Sequence, residues 1–267
     1  MAQTESKTTK LHWQSFGEGE NLVLLHGWGM NGAVWQQTAE VLSQYFRVHV
    51  VDLPGFGYSR HSSFQRIDDL TEQVLADAPE QAIWLGWSLG GLVASHIAIH
   101  HSSRINGLIT VASSPCFSEQ KPWRGIQQKV LQAFTVQLLE DFQLTIERFI
   151  ALQAMGSPSA RQDLKALKQA VLSRPAPNQQ ALLAGLQLLG DVDYREQLHH
   201  VSAPTLRLYG RLDGLVPIQV AKDVTELMPN SQSFVFTQSS HAPFMTELES
   251  FCQQVTAFSG LKQATKN

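Results

Sequence analysis

Two spacings of apolar residues alternate along the first 111 residues of the chain. Short runs of Val, Leu and Ile with little polar interruption stand at Leu22 to Leu25, Val48 to Val51, Ile83 to Leu85 and Leu108 to Val111, separated by amphipathic stretches of helical spacing. Continuous apolar runs of this length read as strands buried on both faces, and their regular separation by helices reads as a mainly parallel sheet wrapped by helices. The same rhythm returns late, at Leu206 to Tyr209 and Phe234 to Phe236. The predicted class is therefore α/β.

Between the two halves of that pattern the spacing changes. From about Ser118 to Gly190 no strand-like run occurs, and apolar residues such as Leu131, Phe134, Leu138, Phe142, Phe149 and Leu152 recur at helical intervals. Gly156-Ser157-Pro158 and Arg174-Pro175-Ala176-Pro177 divide the segment into three or four helices, because Gly readily ends a helix and Pro cannot continue one. We expect residues 1–117 and 191–267 to form the core and residues 118–190 an all-helical cap insertion that folds with it.

Charge follows the same division. Lys121 to Gly190 contains eight basic and four acidic residues, +4 in a chain of formal charge −3, so the remainder carries −7. Most single cations on a helix are ordinary solvated surface, but an excess of this size sets up a local positive field suited to an acidic partner. The chain as a whole has no broad basic face, which argues against duplex binding. With 267 residues, 43% of them hydrophobic and 16% charged, it fits one large globular domain. Cys116 and Cys252, the two cysteines, make no disulfide framework, the first ten residues contain no signal-like apolar stretch, and no run approaches a membrane span. A cytoplasmic protein without a membrane partner is expected.

Candidate chemistry concentrates at Gly86-Trp87-Ser88-Leu89-Gly90, a Gly-x-Ser-x-Gly sequence between an apolar strand and a helix. A serine at so sharp a turn projects its hydroxyl from the carboxyl end of the sheet, beside the positive end of a helix dipole. Serine becomes nucleophilic only when a base takes its proton, so an imidazole oriented by a carboxylate should follow. Asp213, in Gly210-Arg211-Leu212-Asp213-Gly214, and His241, in Ser239-Ser240-His241-Ala242-Pro243, each stand on a loop after a strand's carboxyl end. Alone, Asp213 is an ordinary turn aspartate and His241 one of ten histidines. The order Ser88, Asp213, His241 is that of a hydrolase triad. The oxyanion of an acyl-transfer intermediate needs N–H donors, and Leu89 and Trp28, the latter in Leu25-His26-Gly27-Trp28-Gly29, are the candidates, with His26 bracing its loop. One competing pattern shares that loop. Gly27-x-Gly29-x-x-Gly32 with Asp52 about twenty residues on imitates a dinucleotide fingerprint, which keeps a nicotinamide oxidoreductase as an alternative from another class. A catalytically silent binding module is a third reading, opposed by the complete triad. His100-His101 and His199-His200 lack the i, i+4 spacing of a zinc helix, and no metal or cofactor is expected.

These residues resemble the α/β-hydrolase superfamily. Val23-Leu24-Leu25-His26-Gly27-Trp28-Gly29, Val51-Asp52-Leu53-Pro54-Gly55-Phe56-Gly57, Gly86-Trp87-Ser88-Leu89-Gly90-Gly91 and Ser113-Ser114-Pro115-Cys116-Phe117 are similar, more particularly, to the methyl ester esterases of biotin synthesis that act on pimeloyl-[acyl-carrier protein]. The likeness runs from about Trp13 to Phe251. It implies an α/β-hydrolase fold with a helical cap above Ser88, and hydrolysis of a methyl ester at the far end of a pimeloyl chain borne by an acyl carrier protein. It also places Phe149, Ile150, Ala151, Leu152 and Gln153 along the substrate path with Trp28, Ser88, Leu89 and His241, although packing of the cap on the core would account for the same apolar residues. Arg148, Arg161 and Lys165 are then the expected carrier-protein contacts, in a monomeric enzyme. Leu144 stands where the family would have a cation, and Lys165 where arginine is usual. A carboxylesterase for free short-chain esters remains the alternative within the hydrolases, because its triad would be identical.

Overall fold

The apolar runs pair side by side, as strands covered on both faces must. The computed structural model describes residues 10–260, and the polar N-terminal stretch read above lies, but for Lys10, outside the described residues. Seven strands form one sheet: β1 (Trp13–Phe16), β2 (Glu20–Leu25), β3 (Phe46–Val51), β4 (Ala82–Trp87), β5 (Ile105–Val111), β6 (Thr205–Gly210) and β7 (Gln232–Phe236). Their order across the sheet is β1-β3-β2-β4-β5-β6-β7, all neighbours parallel except β1, which runs antiparallel to β3. Six of the seven are the runs predicted from sequence. The seventh, β1, went unpredicted because Trp-Gln-Ser-Phe is only half apolar and half exposed. Its identity comes from its partner, through the register Trp13 to Val51 and Phe16 to Val48.

Helices α1 (Gln36–Leu42), α2 (Ile67–Asp77) and α3 (Leu89–His100) connect the first strands. α3 is apolar around nearly its whole circumference, and ten of its twelve residues are buried. A helix of that character belongs inside, and it packs behind β4 and β5 as the spine of the core. Between β5 and β6 come α4 (Gln128–Glu140), α5 (Phe142–Ala154), α6 (Ala160–Leu172) and α7 (Gln179–Asp191). The breaks after α5 and α6 fall at Gly156-Ser157-Pro158 and Arg174-Pro175-Ala176-Pro177, and no strand lies between residues 112 and 204, only isolated bridges such as Cys116 to Asp193. α8 (Gln219–Leu227), the short α9 (Pro243–Thr246) and α10 (Leu248–Phe258) complete the chain. No helix of the described residues is long and apolar enough to cross a membrane.

The four-helix segment is fastened to the sheet at defined corners. Arg174, in the turn after α6, reaches the fully buried Asp52 after β3 at 2.7 Å and donates to Gln14 Oε1 of β1 at 2.6 Å. Asn31 Nδ2 donates to Val171 O at 3.1 Å, and Asn178 Nδ2 to Ser62 O at 3.0 Å. Asn178 also caps α7, its Oδ1 accepting the Ala181 N–H at 2.7 Å.

Candidate active site

Ser88 is the residue at which β4 becomes α3, and its backbone is strained. It sits at φ 54° and ψ −116°, a region L-residues rarely adopt. Surrounding bonds over-determine that geometry: the Ser88 N–H donates to Val111 O at 2.9 Å, and Ser88 O accepts from Gly91 N–H and from the Ser113 hydroxyl, each at 2.9 Å. Two glycines are required by close approach. A Cβ on Gly86 would lie 2.1 Å from Gly90 O, and one on Gly90 would lie 2.4 Å from Leu25 O. Any side chain there would push helix and strands apart and lower the serine away from the end of the sheet.

The loops after β6 and β7 bring Asp213 and His241 together. His241 Nδ1 lies 2.7 Å from Asp213 Oδ2, while Asp213 Oδ1 accepts the Leu215 and Val216 N–H groups at 2.8 and 3.0 Å. An ionised carboxylate only accepts, so Nδ1 carries the proton and Nε2 presents a lone pair. Nε2 is buried and has no hydrogen-bond partner among the described residues. The backbone of His241 is pinned on both sides, its carbonyl accepting from Trp87 Nε1 at 2.7 Å and its N–H donating to Gln153 O at 3.2 Å. Trp87 immediately precedes Ser88, so one side chain registers the His241 loop against the elbow. Ser88, Asp213 and His241 are all buried, an environment in which charge–charge and hydrogen-bond interactions are strengthened.

The loop after β2 lies against the elbow, since a Cβ on Gly27 would meet Ser88 Cβ at 3.3 Å. That closeness sets the loop that carries Trp28 beside Ser88. The N–H groups of Trp28 and Leu89 have no protein acceptor among the described residues, and Leu89 is the first residue of α3, where backbone donors are unpaired by construction. The indole of Trp28 is fixed by donation from Nε1 to Leu182 O at 2.8 Å and by α7 passing so close that a Cβ on Gly185 would lie 2.6 Å from its Cδ1. His26 holds the loop. Its Nδ1 donates to Gly27 O at 2.8 Å and its Nε2 accepts the Leu53 N–H at 3.0 Å, an arrangement open only to the neutral ring. Burial accordingly lowers its pKa to about 4, which suits a brace.

The α5 residues divide by face. Phe149 is buried edge-on against Trp28, ring centroids 4.7 Å apart, with Phe134 of α4 behind it at 5.9 Å. Ile150 and Gln153 are also buried, and Gln153 Nε2 has no hydrogen-bond partner among the described residues. Leu152 is half-buried, whereas Ala151 lies on the exposed side of the helix and turns away from the core. Arg148, Arg161 and Lys165 are exposed on α5 and α6, and none has a carboxylate partner among the described residues. Their neighbour Lys168 does, at 3.4 Å from Glu147. Arg161 and Lys165 stand one turn apart in α6, as the four-residue spacing predicts, and Leu144 is an exposed apolar residue on α5.

The dinucleotide pattern has a different explanation. Asp52 Oδ1 accepts the Gly32 N–H at 2.7 Å and pairs with Arg174, and Oδ2 accepts the Tyr58 N–H at 2.8 Å. The acid that would meet a ribose is consumed inside the protein, fastening α6 to the sheet. Two residues that sequence reading did not single out meet beside the loop of His241. Asp163 of α6 and Thr246 of α9 are joined by a 3.0 Å hydrogen bond, and Thr246 lies five residues after His241. No one-dimensional signal marks a contact between residues 83 apart.

Comparison with known proteins agrees with this geometry. Residues 20–248 match the family model described as alpha/beta hydrolase fold. The pimeloyl-[acyl-carrier protein] methyl ester esterase of Vibrio campbellii is 67% identical over 251 residues, covering 94% of this chain and 99% of that one. The protein of the same name from Vibrio cholerae is 64% identical over 251 residues, covering 94% and 98%. Among solved structures, an esterase from Exiguobacterium antarcticum superposes with a TM-score of 0.83 at 21% identity, covering 94% of this chain and 95% of that one. The enol-lactonase of Burkholderia xenovorans does so with a TM-score of 0.82 at 18% identity, covering 94% and 96%. These two share the fold. With a serine elbow, a paired aspartate and histidine past the carboxyl ends of a parallel sheet, and near full-length likeness to curated relatives, the chain belongs to the α/β-hydrolase family and, within it, to the group of the pimeloyl-[acyl-carrier protein] methyl ester esterases.

Proposed function

We propose that this chain is a serine carboxylesterase that hydrolyses the methyl ester of a pimeloyl chain carried on acyl carrier protein, releasing methanol and the free carboxylate. Ser88, His241 and Asp213 are the catalytic residues in this reading. His241 Nε2 takes the proton of the Ser88 hydroxyl as its oxygen attacks the ester carbonyl. The N–H groups of Trp28 and Leu89 hold the negative charge that develops on the carbonyl oxygen, a term that oriented donors in a dry site supply without reorganisation. The tetrahedral intermediate collapses, methanol departs with the proton from His241, and an acyl-enzyme remains. Water then attacks, again giving its proton to His241, and the acid leaves as Ser88 regains its proton. Asp213 keeps the ring in the tautomer that exposes Nε2 and stabilises the imidazolium formed in each half-reaction.

The observations that support the reading are a strained serine at the β4–α3 turn and a histidine whose Nδ1 is committed to Asp213 and whose buried Nε2 has no hydrogen-bond partner among the described residues. The substrate class draws on the names of relatives above 60% identity over nearly the whole chain. Residues 118–190 act as a cap: Phe149, Ile150, Leu152 and Gln153 line the path of the methylene chain with Trp28, and Ala151 contributes only backbone to that wall. Arg148, Arg161 and Lys165 face outward to meet an acidic carrier. The test compares pimeloyl methyl ester on its carrier with a free short-chain ester, using wild type and Ser88→Ala. Wild type should prefer the carrier-bound ester, and the alanine variant should stay folded, lose turnover on both and resist labelling by a serine-directed phosphonate. Equal kcat/KM on both esters would leave a general carboxylesterase, and retained turnover in Ser88→Ala would remove the mechanism altogether.

A further inference from the structure

The corner where α5 passes into α6 touches the loop of His241 at three points. Gln153 O accepts the His241 N–H at 3.2 Å, Met155 O accepts the Ser240 hydroxyl at 2.9 Å, and Asp163 Oδ2 accepts the Thr246 hydroxyl at 3.0 Å. Gly156 of the same corner lies against the Asp213 loop, since a Cβ there would come within 3.3 Å of Leu212 O. Asp163 is the hub of the corner. Its carboxylate also accepts the hydroxyls of Ser157, at 2.8 Å, and Ser159, at 3.0 Å to each oxygen. Ser157 Oγ in turn accepts the Ser159 N–H at 3.1 Å.

Asp163 is buried, and no cation lies within ion-pair distance of it among the described residues. A buried carboxylate without a counter-charge is costly unless several donors satisfy it, and a neutral side chain could fill the start of α6 with less penalty. Two of its three hydroxyl donors belong to its own turn. The third, Thr246, belongs to the core, on the helical turn that begins at Pro243, two residues after His241. The start of that loop is held by Glu247, whose Oε2 accepts the Gln238 N–H at 3.0 Å and the Ser239 hydroxyl at 2.5 Å. The His241 loop is thus flanked in sequence by bonds to one carboxylate of the core and one of the helical insertion.

We infer that Asp163, through Thr246, is a positioning residue for His241, so that the imidazole meets Ser88 correctly only when the α5–α6 corner is seated on the core. The inference rests on the triad reading given above. Its consequence is that cap seating and base alignment are coupled: a substrate that holds the cap down also completes the base, whereas an unseated cap leaves Nε2 misaligned. The remaining corners, at Arg174 and Asn178, hold the cap to the β1–β3 side and make no contact with the His241 loop.

The test uses Thr246→Val, which keeps shape and removes the hydroxyl, Thr246→Ser, which restores it, and Asp163→Asn. With small free esters, Thr246→Val should lower kcat about tenfold with KM within about twofold, the loss of one charge-assisted hydrogen bond expressed in the transition state. Thr246→Ser should recover most of that loss. The double variant Asp163→Asn/Thr246→Val should be no slower than the slower single variant, as expected of two groups acting through one contact. Independently of turnover, the downfield proton signal of the His241 Nδ1–H bonded to Asp213 should broaden in Thr246→Val and sharpen again in Thr246→Ser. Unchanged kcat and an unchanged proton signal in Thr246→Val, or a serine variant no better than valine, would overturn the inference. A protein inert toward every ester, yet showing the expected change in the proton signal, would instead overturn the esterase reading and leave the positioning role standing.

Discussion

Replacing Asp213 by asparagine isolates the orienting carboxylate with almost no change of volume. In the native loop, one carboxylate oxygen accepts two backbone N–H groups, from Leu215 and Val216, and the other accepts Nδ1–H of His241. Asparagine has one oxygen and one NH₂, and the two backbone donors decide which goes where. Turning the NH₂ toward them would leave two donors unsatisfied, the buried one of Val216 at about 1–3 kcal/mol, so the oxygen stays on Leu215 and Val216. The NH₂ then faces Nδ1 and donates to it, which drives the ring proton to Nε2. That tautomer cannot accept the Ser88 proton. Loss of the correct tautomer, together with loss of a negative charge beside the imidazolium, should lower kcat by about 10⁴, or about 5 kcal/mol of transition-state stabilisation. KM should move little, because no substrate contact is altered. The assay is steady-state hydrolysis of a free ester by wild type and variant, with thermal unfolding to show that the variant is folded. A folded Asp213→Asn protein retaining more than about a tenth of wild-type kcat would falsify the assignment of Asp213, since the tautomer argument permits no such activity.

Three further outcomes are expected. Asp52→Asn breaks the buried pair with Arg174 and leaves that guanidinium uncompensated, so it should lower stability by about 3 kcal/mol, or the midpoint by roughly 6–12 °C, while kcat well below the transition stays near wild type; a kcat loss as large as that of Asp213→Asn would mean the wrong aspartate had been placed in the triad. Reversal of Arg148, Arg161 and Lys165 to Glu should reduce kcat/KM for the carrier-bound ester and make it less sensitive to salt, leaving a small uncharged ester unaffected; equal losses on both substrates would mean damage to the helices rather than to carrier capture. His26 and His96 are both held, chiefly by burial, at a pKa of about 4 against an ordinary 6.5. The unfolded chain therefore binds their protons first as pH falls, so the stability these two neutral rings contribute is fully present above about pH 6.5 and drains away toward pH 4, and a thermal midpoint that stayed flat across that window would refute the reading that both rings are neutral in the folded protein.

What the sequence determined by itself was whatever depends on neighbours along the chain. Buried parallel strands are largely apolar, so β2 to β6 stand out without knowledge of their partners, as does the short run Phe234 to Phe236 in the less buried β7, and Pro and Gly mark the helix breaks around 156 and 175 because they act on the local backbone. The serine elbow was legible for the same reason: Gly86 and Gly90 are needed within two residues of Ser88. The places of Asp213 and His241 just past strand ends were legible as well, and the structure brings the two side chains together. Tertiary structure alone decided the rest. β1 is a strand because β3 offers it an edge, the role of Asp52 follows from a guanidinium 122 residues away, and Gly185 is glycine because Trp28 passes beside it. The bonds from Gln153, Met155 and Asp163 to the His241 loop span 83 to 88 residues, and although the sequence points to Gln153 and His241 for other reasons, nothing in it marks any of these pairs as partners. A hydrogen bond constrains only the two groups that meet in space, so residues whose partners are distant look ordinary until the chain has folded.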